Sequence, residues 1–139
     1  MKRESLMWQT LRPPMVAWNL DPQRIEAANA LGVPDVNYIH GWIELKCIED
    51  WPKSPATPVA VDHFTPLQRV WSWKRWRAGG LAWVLLRVYK TDDWLLFQGD
   101  VAKDVVGKAD KASLFAAARV AVKRATDLTI LREVRSIDV

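Results

Sequence analysis

The chain has 139 residues, of which 50% are hydrophobic and 26% are charged, so we expect a single domain over residues 1–139 with a real core. It has no apolar run of the roughly 18 residues that cross a bilayer, and "MKRESLMWQT" lacks the apolar stretch of a secretion signal. We therefore expect a cytoplasmic protein with no membrane role. Cys47 is the only cysteine, which excludes an internal disulfide and a multi-cysteine zinc site.

The charge is distributed unevenly. Residues 1–64 carry 6 Lys and Arg against 8 Asp and Glu, a net charge of −2, whereas residues 65–139 carry 14 against 8, a net charge of +6. The segment 65–80 contains no acidic residue and four basic ones, Arg69, Lys74, Arg75 and Arg77. Such a stripe favours a polyanion such as nucleic acid, although a basic helix face can also be merely solvated.

The first part of the chain predicts a helix followed by a hairpin. Apolar residues near helical spacing predict a helix over 2–11 that stops at Pro13-Pro14. Residues 13–31 look like a connection, with a helical turn after Asp21-Pro22. "PDVNYI" and "WIELKC" predict two strands that flank His40-Gly41.

The proline-rich tract 48–64 predicts a loop, which either contacts a substrate or is a plain surface excursion. A helix follows over 66–78, with Thr65 as its N-cap and Gly79-Gly80 at its end. Strands are predicted over 81–89 and 94–98, around the turn Thr91-Asp92-Asp93. The alanine-rich stretch 108–126 predicts a closing helix. This order predicts an α/β or α+β domain with a mixed central sheet flanked by helices.

Three charged residues accompany the predicted hairpin. Side chains alternate along a strand, so Glu44 and Lys46 share one face, while Leu45 and its apolar neighbours point to the other. Asp35 lies on the preceding strand, where it can sit beside them.

Two converging carboxylates repel each other unless a cation lies between them. Mg²⁺ prefers oxygen ligands and can acidify a bound water, and a nearby lysine can orient that water or stabilise charge on a phosphate. These are the parts of a phosphodiester hydrolase, although a cross-strand ion pair is the simpler interpretation of Glu44 and Lys46 alone.

"VPDVNYIHGWIELKC" followed by "FTPLQRVWSWKRWRAGGLAWVLLRV" resembles the PD-(D/E)XK nuclease superfamily, and within it the small phage-type endonucleases and the VRR-NUC-like or Holliday-junction-resolvase-like domains. The resemblance covers about residues 2–98. It implies a restriction-endonuclease-like core, with Asp35 and Glu44 as ligands of Mg²⁺, for which Mn²⁺ can substitute, and with Lys46 assisting the water nucleophile. Gln68 matches a glutamine that recurs early in the helix after the catalytic strand.

Some members of the superfamily add a metal-binding glutamate from the N-terminal helix. Glu4 fits that position, although Glu26 is nearer in sequence to the motif. The resemblance also implies an endonuclease acting on DNA as a homodimer, in the host cytoplasm if it is phage-encoded. Junction resolvases, homing enzymes and general nucleases share the motif. The basic residues Arg69, Lys74, Arg75 and Arg77 are the expected contacts to backbone phosphates.

Two other functions compete with this one. A DNA-binding or architectural protein could keep the nuclease-like fold without cleaving, and an enzyme with the same site could act on RNA. Trp73 and Trp76 lie among the basic residues and are candidates for stacking on bases, although core packing is favoured for both. His40 and His63, the only histidines, are expected in loops, since no further histidine completes an HNH-type site.

Overall fold

The computed structural model describes residues 3–25, 32–124 and 129–135. In these ranges six strands form one mixed sheet in chain order: β1 (Gln23–Arg24), β2 (Val36–Tyr38), β3 (Gly41–Ile48), β4 (Leu81–Val88), β5 (Asp93–Gln98) and β6 (Val120–Val122). The accompanying helices are α1 (Arg3–Ala17), α2 (Pro66–Arg77), α3 (Gly99–Val105), α4 (Lys111–Ala117) and α5 (Thr129–Arg135). Neighbouring strands are antiparallel except β3 and β4, which are parallel and joined through α2. The α+β class with a mixed sheet is thus confirmed, and none of the described helices is long and apolar enough to cross a membrane.

The predicted hairpins are confirmed. In the first hairpin Val36 pairs with Ile43 and Tyr38 with Gly41. The second hairpin joins β4 and β5 through the predicted turn, where Asp92 takes a left-handed backbone conformation with φ of 54°. Both hairpins combine β-branched or aromatic residues with a short polar connection, which is a local signal that needs no tertiary information.

The predicted helix after residue 65 is also confirmed. Thr65 Oγ1 accepts a hydrogen bond from the Gln68 backbone N–H at 3.2 Å, and the Thr65 N–H donates to Gln68 Oε1 at 3.0 Å. This reciprocal capping box satisfies two N–H groups that the helix start would otherwise leave open. The helix ends where Gly79 adopts φ of 100°, which a residue without Cβ does at little cost.

The first helix does not stop at Pro13-Pro14 as predicted. It continues to Ala17 with both prolines inside. Met7, Leu11 and Met15 recur every four residues on one face of α1, and all three are buried. Burial of such side chains stabilises by about 1.5–3 kcal/mol each, which offsets the hydrogen bonds that the prolines remove. Further along, the predicted helical turn after Pro22 is wrong as well, because residues 23 and 24 pair with β2 as β1.

The closing helix predicted over 108–126 is wrong. Among its described residues, 108–124, only Lys111–Ala117 is helical, with Asp110 as its N-cap, and Val120–Val122 forms the edge strand β6 beside β5. Within α4 Leu114 is buried, whereas Phe115 is 37% exposed, so these neighbouring apolar residues do not form one buried face. The helices α3 and α5 were not predicted, and residues 125–126 of the predicted helix lie outside the described residues.

The sheet is buried on both faces. On the face covered by α1 and α5, here called the α1 face, the core includes Met7, Met15, Ile43, Leu45, Leu85, Ile130 and Val134. On the opposite face, here called the loop face, the core includes Trp51, Val59, Val61 and Phe64 from the tract 48–64, together with Val84, Leu86, Ala102 and Leu114. Beyond Ile48, the last residue of β3, the tract has neither helix nor strand, as predicted. It is not a plain surface excursion, because its apolar side chains complete this second core.

Candidate active site

The structure brings Asp35 and Glu44 together on the loop face. Val36 pairs with Ile43, so Asp35 and Glu44 occupy the next opposing positions on the two strands. Asp35 Oδ2 accepts a hydrogen bond from the Leu45 N–H at 2.9 Å, which fixes the aspartate against β3.

The segment that precedes Asp35 lies against the start of α2. A Cβ added to Gly32 would lie 2.5 Å from the Leu67 carbonyl carbon, and Gly32 has φ of +80°. Only a glycine allows two backbones to come this close in that conformation. The segment that presents Asp35 is therefore packed directly on the capped end of the helix.

Lys46 lies beside Glu44, as strand alternation predicts. Its Nζ is 3.2 Å from Glu44 Oε2 and donates a hydrogen bond to the His63 carbonyl oxygen at 2.9 Å. Both side chains are buried, with 1% of Glu44 and 5% of Lys46 exposed. The end of the tract 48–64 thus closes over the lysine, whose Nζ also lies 5.9 Å from the centre of the Phe64 ring.

The electrostatics of Glu44 set it apart from an ordinary surface carboxylate. Burial raises the pKa of Glu44 from 4.5 to about 8, with the negative charge of Asp35 as a second cause of the rise and Lys46 offsetting part of it. Glu44 Oε1 is buried and has no hydrogen-bond partner within the described ranges. The protonated carboxyl of Glu44 can donate a hydrogen bond to Asp35. The ionised form leaves Oε1 as a buried acceptor without a donor, which is costly and rare unless a ligand, water or ion supplies the partner.

The donor set fits a hard divalent cation. Asp35 and Glu44 offer oxygen ligands. A positive ion beside them would relieve their repulsion and supply the partner that Glu44 Oε1 lacks among the described residues. No group of three or more His, Cys, Asp or Glu residues suited to a metal occurs in the part of the chain that the structure describes. Mg²⁺ needs only one or two carboxylates when waters and a substrate phosphate complete its coordination, so the pair suffices.

Glu4 is not brought to this pair. The Cys47 thiol donates to Glu4 Oε2 at 3.4 Å, and Cys47 packs against the core of the α1 face. Because Cys47 alternates with Lys46 along β3, Glu4 lies on the opposite side of the sheet from Glu44. The other glutamate considered, Glu26, lies outside the described residues.

Gln68 stands at the start of α2, close to the segment that presents Asp35. Its Oε1 is occupied by the Thr65 N–H in the capping box, and its backbone nitrogen would lie 2.7 Å from a Cβ added to Gly32. Gln68 thus stabilises the helix start on which the Asp35 segment packs.

The four basic residues of α2 divide into one internal and three exposed side chains. The Arg69 guanidinium donates to the carbonyl oxygens of Phe64 at 3.1 Å and Lys103 at 3.0 Å, and it lies 4.3 Å from the centre of the Phe64 ring. Burial lowers the pKa of Arg69. Arg69 therefore ties α2 to α3 and to the end of the tract 48–64, and both of these bonds are internal to the protein.

Lys74, Arg75 and Arg77 are exposed, and we call them the basic end of α2. Arg75 lies 4.4 Å from the centre of the Trp71 ring and Arg77 lies 5.9 Å from that of Trp73. Such stacking orders the guanidinium groups at the surface.

Trp76 points elsewhere, since its ring packs 5.0 Å from that of Trp83, a residue of the α1-face core. Packing is thus confirmed for Trp76, while Trp71 and Trp73 are half-buried at the basic end. Sequence reasoning singled out Trp73 but not Trp71.

Sequence reasoning also missed the contribution of the tract 48–64 to the site. The His63 carbonyl group binds Lys46, and His63 adopts a left-handed backbone with φ of 65°. Every residue has a backbone carbonyl group, so the pattern of residue types could not predict that this one accepts a hydrogen bond from Lys46. Both histidines lie in turns, as expected.

Comparison of the chain with models of known protein families, with curated proteins and with solved structures gave no match.

Proposed function

We propose that the protein is a metal-dependent DNA endonuclease that hydrolyses phosphodiester bonds, with Asp35 and Glu44 holding Mg²⁺ or Mn²⁺ and Lys46 as the catalytic amine. One observation carries the proposal: the half-buried Asp35 meets the buried Glu44 and Lys46 on the loop face, and Glu44 Oε1 has no partner among the described residues. A purely structural ion pair does not need a second carboxylate beside it, whereas here Asp35 adds to the rise that burial causes in the pKa of Glu44.

The cation, when bound, supplies charge neutralisation and an acidified water. Glu44 holds a proton near neutral pH, because its pKa is about 8, and it would release that proton to act as a metal ligand. Lys46 has three N–H donors, of which one goes to the His63 carbonyl and one to Glu44. The third is left for a phosphate oxygen, where a positive charge shielded from water stabilises the developing negative charge.

DNA would be held by the basic end of α2. Lys74, Arg75 and Arg77 are exposed and together carry three positive charges with no acid in the helix, which suits contacts to backbone phosphates. We extend the proposal to a homodimer, since cutting two strands requires two sites. Branched or site-specific DNA, as in resolvases or homing enzymes, is the substrate that such a dimer would fit.

The test is cleavage of labelled four-way junction, flap, linear duplex and single-stranded DNA, with RNA alongside, in Mg²⁺ and in EDTA. Lys46→Met keeps the volume of the lysine and removes its charge, and Lys90→Ala removes a charge from an exposed turn. We expect cleavage only with the cation, a loss of at least about 100-fold in Lys46→Met, and no change in Lys90→Ala.

The second candidate is a DNA-binding protein that does not cleave. It is favoured by the closure of the site, since Lys46 already has two internal partners and is 5% exposed. Binding that depends on salt but not on Mg²⁺, with no product on any substrate, would select this function over the nuclease.

A further inference from the structure

A cavity of about 480 Å³ lies between the C-terminal half of α1 and the turn that leads into β1. Its volume falls in the range of small-molecule sites. The lining includes Trp8, Arg12, Asn19, Asp21 and Arg24. Helix α1 packs on the α1 face, so this cavity is separate from Asp35, Glu44 and Lys46.

The cavity is suited to an anion. Arg12 and Arg24 contribute two positive charges and Asp21 one negative charge, which leaves +1. Asp21 Oδ1 accepts from Gln23 Nε2 at 3.2 Å. In contrast, Arg24 Nη1 is buried and has no acceptor in residues 3–25, 32–124 and 129–135. A buried guanidinium N–H without an acceptor is costly, and a phosphate oxygen supplies one with a strong charge-assisted hydrogen bond.

The same cavity offers an aromatic surface. Trp8 is half-buried and packs against the core of the α1 face with part of its ring, and it also lines the cavity. An indole fixed in this way can stack on a nucleobase. The adjoining Asn19 and Asp21 have left-handed backbones, with φ of 58° and 49°. In Asn19 this conformation caps the end of α1, since the Leu20 N–H donates to the Met15 carbonyl oxygen and the Asn19 N–H to that of Val16, both at 3.0 Å.

We propose that this cavity binds a nucleoside monophosphate, with the phosphate on Arg12 and Arg24 and the base against Trp8. The ligand is either a free nucleotide or the phosphorylated end of a DNA strand, which share this chemistry. The site does not require that the protein cleave DNA, because none of its residues belongs to the proposed active site.

The test is calorimetric binding of adenosine monophosphate, adenosine and inorganic phosphate to the full chain. We expect the monophosphate to bind at least about tenfold more tightly than either part alone. Arg12→Ala changes an exposed residue that is safe for folding, and Arg24→Gln keeps much of the side-chain volume. Each should weaken binding about tenfold or more, while Arg132→Ala, an exposed arginine on α5, should leave it unchanged.

A single-stranded oligonucleotide with a 5′-phosphate, compared with the same strand carrying a 5′-hydroxyl, separates the two sources. Tighter binding of the phosphorylated strand than of the free nucleotide indicates a strand end, and the reverse indicates a free nucleotide. The proposal is overturned if none of the phosphorylated ligands binds at millimolar concentration, or if Arg12→Ala and Arg24→Gln both bind like the wild type. Glu44→Gln, which changes the proposed metal site, should bind the nucleotide as tightly as the wild type. Loss of nucleotide binding in the arginine variants and loss of DNA cleavage in Lys46→Met are therefore separate results.

Discussion

The α1 face and the loop face are both buried, but Tyr38 on the first and Glu44 on the second differ in whether their polar atoms have hydrogen-bond partners. On the α1 face the Tyr38 hydroxyl donates to the Val134 carbonyl oxygen at 2.7 Å and accepts from Trp83 Nε1 at 3.0 Å. On the loop face Glu44 Oε1 has no partner among the described residues. A satisfied buried group fixes a unique core, whereas an unsatisfied one lowers stability and needs another reason to be present. Arg24 Nη1, at the cavity beside α1, is another buried group without a partner among the described residues. The cost in stability at Glu44 supports the proposal that the loop face carries the active site.

The largest expected effect is a pH dependence caused by Glu44. The folded protein holds the proton of Glu44 up to about pH 8, whereas an unfolded chain releases it near pH 4.5, so the pKa is raised by folding. The stability that this proton contributes is fully present below pH 4.5 and is lost as the pH rises to 8. Without divalent cations, the free energy of unfolding should therefore fall across this window by up to about 5 kcal/mol.

Denaturant titrations of the wild type and of Glu44→Gln at several pH values measure this effect. The neutral glutamine should remove that part of the pH dependence, so that the variant matches the wild type at low pH and is more stable above pH 8. Parallel curves for the two proteins would show that Glu44 is not destabilised by burial.

The next effect contrasts the two faces directly. Leu85 is fully buried in the α1-face core, and Leu85→Ala should cost about 3 kcal/mol through lost burial and the cavity left behind. Lys46→Met on the loop face keeps the volume and removes a buried charge. Because Glu44 holds its proton at pH 6, no unpaired charge is left behind, and the free energy of unfolding should change by less than about 1 kcal/mol. Chemical denaturation measures both, and an equal loss in the two variants would remove the distinction between the faces.

A smaller effect is expected where α2 meets the tract 48–64. Arg69→Ala removes two hydrogen bonds from a charged donor and should destabilise the protein by about 1–3 kcal/mol. Arg75→Ala, in the same helix but exposed, should stay within about 0.5 kcal/mol. Thermal unfolding compares the two, and equal melting temperatures would mean that the Arg69 bonds do not hold the tract in place.

The smallest effect on stability is expected at the basic end of α2, where a change in DNA binding should appear instead. Each of Lys74→Ala, Arg75→Ala and Arg77→Ala should weaken DNA binding and lower the slope of log affinity against log salt by about 1. Fluorescence anisotropy at several salt concentrations measures the slope. Lys90→Ala is the matched exposed control, and a slope that is unchanged in all three variants would place the DNA elsewhere.

The elements that could be predicted from the sequence are those with local signals. The hairpin around His40-Gly41 and the capped helix from Pro66 depend on turn residues and caps within a few positions of each other, and the alternation that pairs Glu44 with Lys46 is equally local. The predictions were wrong where packing between elements that are distant in the sequence determines the structure. Helix α1 continues past its prolines because other elements bury Met15, and β6 forms because an edge of β5 was open to pair with Val120–Val122.

The same division applies to the candidate site. Asp35, Glu44 and Lys46 were predicted together because neighbouring strands place them on one face, and the structure does so. The side of the sheet on which Glu4 lies depends on how α1 packs, and the closure of Lys46 depends on a carbonyl group of a loop. Neither the position of Glu4 nor the closure of Lys46 can be predicted from the pattern of residue types.

The most direct test of the central claim is calorimetric titration of Mg²⁺ or Mn²⁺ into the wild type at pH 7 in buffers of different ionisation enthalpy. If the cation binds between Asp35 and Glu44, it must displace the proton that Glu44 holds with a pKa of about 8, so close to one proton should be released for each ion bound. Glu44→Gln should bind the ion more weakly and release none. Binding without proton release, or equal binding by the wild type and Glu44→Gln, would contradict the assignment of this buried pair as a metal site.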